Sequence, residues 1–150
     1  MEGESRGDDA PAERVRAGFA RQAFMQTLGA ELVRVAPGEV VIALGARPAL
    51  GQQHGYVHAG ALAAVADSAC GFAALTLMAP GEEVLSVEFK LNLLAPARAA
   101  RFEAAGRVVR AGRTLTVCAG EVREAPGPDG APGKLVALMQ ATMIAAGGRR

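Results

Sequence analysis

Between residues 82 and 94 the chain alternates in polarity: Leu85, Val87, Phe89, Leu91 and Leu93 are apolar, and Ser86, Glu88, Lys90 and Asn92 between them are polar. Successive side chains of a strand point to opposite faces, so this period of two predicts a long, half-buried strand with those apolar residues on one side. Residues 99–111 and 113–124 alternate in the same way and meet at Ala111-Gly112, a hairpin turn. The proline- and glycine-rich run 125–133 excludes helix and strand and predicts a loop before a last strand at 134–145. Toward the N-terminus, Pro37-Gly38 separates two further strands at 30–36 and 39–46, and 48–57 is loop. Residues 11–28 predict a helix with an uneven apolar stripe of Val15, Phe19, Ala23 and Met25, closed by Gly29. Residues 59–78 predict a second, longer helix: Ala63, Ala64, Ala69, Ala73, Leu75 and Leu77 are helix-compatible, and Pro80-Gly81 stops the segment. One long helix against an antiparallel sheet of five or six strands is an α+β layer arrangement.

The long helix is apolar on every face, which means burial in protein or in lipid. Asp67 near its middle, the predominance of Ala and Gly over Leu and Ile, and the lack of Lys or Arg at either end exclude the membrane. Its small residues let other backbones approach, so the expectation is a buried helix wrapped by the sheet. A chain of 150 residues suits one domain, here 11–146 after a disordered tail at 1–10. The 16 basic and 15 acidic residues leave a net charge of +1, so no field points to nucleic acid or an anionic membrane. Five Phe, one Tyr and no Trp provide no stacking platform for bases. Cys70 and Cys118, in the helix and a strand, are small buried apolar residues rather than a disulfide. The charged N-terminus lacks the apolar core of a signal peptide, and the expected location is the cytoplasm.

The chemistry concentrates in 52–67, QQHGYVHAGALAAVAD, where a polar loop with His54 and His58 runs into the helix that carries Asp67. A carboxylate on an otherwise uncharged buried helix is costly without a partner or a task. Gln52, Gly55, His58-Ala59-Gly60 and Asp67 match in spacing the signature of the hot-dog fold thioesterases of the phenylacetate-pathway (PaaI-like) group. The segment SVEFKLNLLAPA at 86–97 is similar to that family's strand and Pro-Ala turn, and the resemblance covers about residues 24–145. Ala59 replaces the first glycine of the family's pair, keeping its N–H but adding a methyl group.

The resemblance implies a hot-dog fold and hydrolysis of an acyl- or aryl-acyl-coenzyme A thioester with no cofactor or metal. It also implies a homodimer with two composite sites, or a pair of such dimers as a homotetramer. Ala59 and Gly60 open the helix, so their N–H groups are unpaired donors at its positive end and suit a developing oxyanion. Asp67 is the general base or the nucleophile. His58 caps and packs the loop before the helix or, as in the family, shapes the oxyanion site, and in the family Gln52 orients water or the thioester. Tyr56 belongs to the loop lining the acyl tunnel, while Ser86 holds the water or is an ordinary strand hydroxyl. Arg110 and Arg113, flanking Gly112, touch coenzyme A phosphates or are solvated; His54 is structural or exposed.

Asp67 lies eight residues beyond Ala59, about 12 Å along the helix axis at roughly 1.5 Å per residue. One carbonyl carbon cannot be served by both, so the acid and the donors of one site come from two antiparallel helices of a twofold dimer. Two readings on the same fold stand beside hydrolysis: a non-catalytic acyl-CoA sensor and a hydratase or dehydratase. The first lacks its DNA-binding extension and the second its proline-bracketed His loop. No metal-ligand spacing and no nucleophile elbow are present.

Overall fold

A computed structural model describes residues 10–147. The N-terminal segment expected to be disordered lies outside the described residues up to position 9, and Ala10 already opens a helix. The elements are α1 (Ala10–Arg21), α2 (Ala23–Leu28), β1 (Glu31–Ala36), β2 (Glu39–Gly45), a short 3-10 turn (Pro48–Leu50), α3 (Ala59–Leu75), β3 (Glu83–Leu93), β4 (Arg101–Ala111), β5 (Leu115–Glu124) and β6 (Leu135–Ala146). All six strands form one antiparallel sheet in the order β1-β2-β4-β5-β6-β3, wrapped around α3. This is the expected hot-dog arrangement.

Small residues set the distance between α3 and the sheet. A Cβ on Gly106 of β4 would lie 2.3 Å from the carbonyl carbon of Ala69, and one on Gly120 of β5 would lie 3.0 Å from Cys70 Sγ. Only glycine lets the helix backbone rest there. Around this contact Leu62, Val65, Ala69 and Cys70 pack with Ile42, Leu44, Phe102, Ala104, Cys118, Val122 and Met143, all essentially inaccessible. Both cysteines are free thiols. Burial pushes Cys70 from 9.0 to about 12, with Cys118 and the charge of Asp67 adding to it, and burial raises Cys118 to about 11. They are inert core residues.

Three expectations are corrected. The N-terminal helix is two helices, broken at Gln22, whose backbone is extended (φ −81°, ψ 94°). The break changes the helical phase so that Val15 on one piece and Met25 and Leu28 on the other all reach the core. The central helix stops at Leu75, three residues short of Met78, because Thr76 Oγ1 donates to the carbonyl of Ala73 (2.7 Å) while accepting the N–H of Gly38 (2.7 Å). Arg14 of α1 secures the same end, its guanidinium donating to the carbonyls of Leu75 (2.5 Å), Met78 (2.8 Å) and Ala79 (2.8 Å), where a cation also favours the helix dipole.

The third correction concerns β3, which is the sheet edge and is not half-buried in one chain. A bulge at Val87, between Ser86 and Glu88, shifts its register on β6. Val84 and Ser86 face the helix before the bulge, and Phe89, Leu91 and Leu93 face it afterwards, opposite the buried Ala141, Met139 and Ala137. Leu85, opposite Ile144, is therefore on the other face. Leu85, Val87, Phe89 and Leu93 remain about half exposed.

Candidate active site

The loop that enters α3 is held by its own backbone. Gly51 and Val57 form a bridge, Gln52 N–H donates to Tyr56 O (2.8 Å), Val57 N–H to Ala97 O (3.0 Å) and His58 N–H to Leu50 O (2.8 Å). Gly55 occupies the left-handed region (φ +85°), which a side chain would resist. The side-chain oxygen of Gln52 accepts from the N–H groups of His54 (2.5 Å) and Tyr56 (3.2 Å), leaving its NH2 as the free end. Gln52 thus shapes the loop, and His54 is exposed.

His58 is the N-cap of α3: its Nδ1 accepts the N–H of Gly60 at 2.8 Å. That corrects the expectation of two unpaired donors. Gly60 N–H is spoken for within the chain, whereas Ala59 N–H takes no partner among the described residues. Because Nδ1 accepts, the imidazole carries its proton on Nε2, an exposed donor at the helix start. A Cβ on Gly60 would lie 3.0 Å from that Nδ1, so a side chain there would press the ring away from the helix start.

The helix start faces a cleft of about 540 Å³ whose polar side is Gln52, Gln53, Tyr56 and His58 and whose apolar wall is Leu62 and residues 93–97. Arg98 holds the Tyr56 ring, donating to its Oη (2.9 Å) with the guanidinium 4.8 Å from the ring centre. The volume admits an acyl group.

Asp67 stands apart from this cleft in one chain. Ser86 Oγ donates to Asp67 Oδ1 at 2.7 Å, across from α3 to β3, and Oδ2 takes no hydrogen bond among the described residues. Met143 Sδ is 3.3 Å from Ser86 Oγ, but the single hydroxyl proton goes to the shorter, charged partner. Asp67 and Ser86 border a separate recess of about 100 Å³ that also touches Gln22, Ser68, Gly71, Phe72 and Val84. Gln22 and Ser68 were not singled out from sequence. The signal was the stripe that loses phase between Phe19 and Met25, where Gln22 sits, and the hydroxyl next to Asp67.

Arg110, Gly112 and Arg113 are exposed at the β4–β5 turn. Ala111 pairs with Thr116, Thr116 with Met143 and Met143 with Ser86, whereas Leu93, beside the cleft, pairs with Ala137 and so with Val122 and Ala104. The arginine turn and the cleft therefore lie at opposite ends of the sheet, and one chain does not bring them together. Among the described residues no helix is long and apolar enough to cross a membrane.

The chain is similar over 93% of its length, and over all of the other chain, to a thioesterase family protein of Silicibacter pomeroyi, at 45% identity and a TM-score of 0.86. The PaaI protein of the E. coli phenylacetic acid degradation operon shares the fold (TM-score 0.81, 20% identity, 94% of this chain and 96% of that one). A 1,4-dihydroxy-2-naphthoyl-CoA hydrolase of Listeria monocytogenes is 29% identical over 94 residues, 63% of this chain and 76% of the relative. The sequence profile of the thioesterase superfamily matches residues 54–131, the stretch that holds the His58 cap, Asp67, Ser86 and the arginine turn. The hot-dog sheet around α3, that match over more than half of the chain and the 45% identity to a thioesterase family protein together place this chain in the thioesterase superfamily, as a thioester hydrolase.

Proposed function

We propose that the chain hydrolyses acyl-coenzyme A thioesters at sites shared between two copies, each combining Asp67 and Ser86 of one with the loop 52–58 and Ala59 N–H of the other. The observation that carries this is the division of labour within one chain: the acid with its serine and the free helix-start donor with its cleft lie about 12 Å apart along α3, at roughly 1.5 Å per residue. The exposed apolar residues of β3, an unpaired sheet edge next to Ser86, support contact with a second copy there. The named coenzyme A hydrolase among the relatives supports the leaving group.

In this mechanism Asp67 Oδ2 takes a proton from water as its oxygen attacks the thioester carbonyl carbon. The new oxyanion accepts Ala59 N–H of the second copy at the positive end of its helix, a type of contact worth about 2.7 to 4 kcal/mol. The intermediate collapses with cleavage of the C–S bond, and the proton held by Asp67 goes to the departing thiolate. Ser86 keeps Asp67 oriented, and the free NH2 of Gln52 with His58 Nε2–H orients the carbonyl. Tyr56 lines the acyl cleft, and Arg110 and Arg113 of one copy meet the coenzyme A phosphates.

Turnover measured over short, long and aromatic acyl-CoAs tests the reading, with Asp67→Asn as the control. A single turnover in 18O-water that labels Asp67 itself shows a mixed anhydride opened at the Asp67 carbonyl, and hydroxylamine added during turnover, which converts an anhydride to an acyl hydroxamate, tests for one opened at the acyl carbon; the base mechanism gives neither.

A further inference from the structure

The break between α1 and α2 has a chemical use. Gln22 Nε2 donates to Ser68 Oγ at 3.1 Å across 46 residues of sequence, and Ser68 is 8% exposed beside Asp67. The Ser68 hydroxyl has only the oxygen of the same amide as an acceptor, 3.5 Å away at the limit of a hydrogen bond, so a closer acceptor in the recess would take its proton. Ser86 Oγ closes the recess from the sheet side and has given its proton to Asp67 Oδ1. Asp67 Oδ2 and the Ser68 proton are thus one acceptor and one donor on a recess of about 100 Å³, room for about three waters at ~30 Å³ each and too small for an acyl chain. Phe72, Val84 and Gly71 complete its wall and offer a water no competing polar side chain.

We propose that this recess is the seat of the attacking water, and that Gln22 is a positioning residue that acts through Ser68 to fix that water on Asp67. The proposal rests on Asp67 being the acid of the hydrolysis. Ser68 donates to the water oxygen, the water gives its proton to Asp67 Oδ2, and Gln22 prevents the hydroxyl from turning away. Gln22 makes this contact from the extended residue between α1 and α2.

The test is a double-mutant cycle on the hydrolysis of one acyl-CoA, using Gln22→Met, Ser68→Ala, the pair together and Asp67→Asn. Met keeps length and volume and removes both hydrogen-bonding groups. The expected result is a loss of about tenfold in kcat for Gln22→Met and for Ser68→Ala, the size of one lost hydrogen bond, with KM and Tm near wild type. The pair together loses no more than the worse single change, because both act through one hydroxyl. Gln22→Asn with a partial recovery of kcat adds support. The proposal is overturned if Gln22→Met raises KM at constant kcat, if it leaves both unchanged, if kcat follows only a fall in Tm, or if the two losses multiply. Asp67→Asn separates the failures: an inactive Asp67→Asn beside a fully active Gln22→Met sinks this proposal alone, whereas an active Asp67→Asn sinks the reading beneath it as well.

Discussion

Asp67 has one oxygen held by Ser86 and one free, the state a base needs to be both aimed and available. Asp67→Asn keeps size and packing and removes the base, so turnover falls about 10²- to 10⁴-fold while the circular dichroism spectrum and Tm stay near wild type. Wild-type turnover in that variant would make Asp67 a structural residue. The acid was legible in the sequence because a lone charge on an apolar helix needs a reason. A capping role for His58 was legible as one of two, but that the cap takes the N–H of Gly60 and so removes a donor from the oxyanion site was not, because it depends on a side-chain rotamer. Gln22 was hidden for a different reason: the lost phase of the stripe marks a break there, but a contact across 46 residues leaves nothing local to say what the side chain touches. The thiols give a pH prediction. Cys70 and Cys118 are held protonated, up to about 12 and about 11 against 9.0 for the ordinary group. A pKa raised by folding adds stability that is complete below pH 9.0 and is lost as pH climbs toward the folded values, so Tm declines from about pH 9 upward. The variant Cys70→Ala/Cys118→Ala is less stable at pH 7 but has a flatter Tm profile between pH 9 and 11.

At the scale of elements, a single methyl group decides how closely the central helix rests on the sheet. Gly106→Ala puts a carbon 2.3 Å from the Ala69 backbone, so α3 must move off β4. We expect a loss of about 1 to 3 kcal/mol in urea unfolding, the usual cost of overpacking, with a larger proportional loss of activity because the Asp67–Ser86 contact lies on the displaced helix. A variant as stable and as active as wild type would show that the contact is slack. The strands and the central helix were visible from periodicity, since alternation and apolar continuity are local properties. What periodicity missed was a one-residue event: the bulge at Val87 puts Leu85 and Phe89 on opposite faces although they read as one stripe. The edge position of β3 was equally invisible, because strand order is decided by pairings dozens of residues away.

For the whole molecule, the placement of Asp67 and Ala59 on one helix predicts complementation between two inactive proteins. Asp67→Asn removes the acid, and Ala59→Pro removes the free donor at a first-turn position where proline is tolerated; His58 before it is already extended (φ −61°, ψ 138°). Each variant alone is nearly inactive. Unfolded, mixed and refolded, half of the twofold dimers are hybrids with one intact site, and activity recovers to about a quarter of wild type. Recovery is judged only after circular dichroism shows that both fold, and parental activity in a mixture that exchanges subunits would place each site within one chain. The arginine turn belongs to the same scale. Arg110→Ala with Arg113→Ala raises KM for acyl-CoA and weakens its salt dependence, while a short thioester without the nucleotide is hydrolysed as before. An equal effect on both substrates would remove the phosphates from the role.

The sheet order carries one more consequence, about time. β3 is the third strand made, yet its sole neighbour in the sheet is β6, the last. Ser86 pairs with Met143, so the strand that aims the acid waits for about 57 more residues, roughly 3 to 11 s at a ribosomal rate of about 5 to 20 residues per second. Until then β3 has no neighbour in the sheet, and only its packing on the central helix holds the serine near the acid. If the proposed site is right, an emerging chain gains activity only once β6 is out of the ribosome, and arrested chains ending before residue 135 are the form in which β3 is most exposed to aggregation and to chaperones.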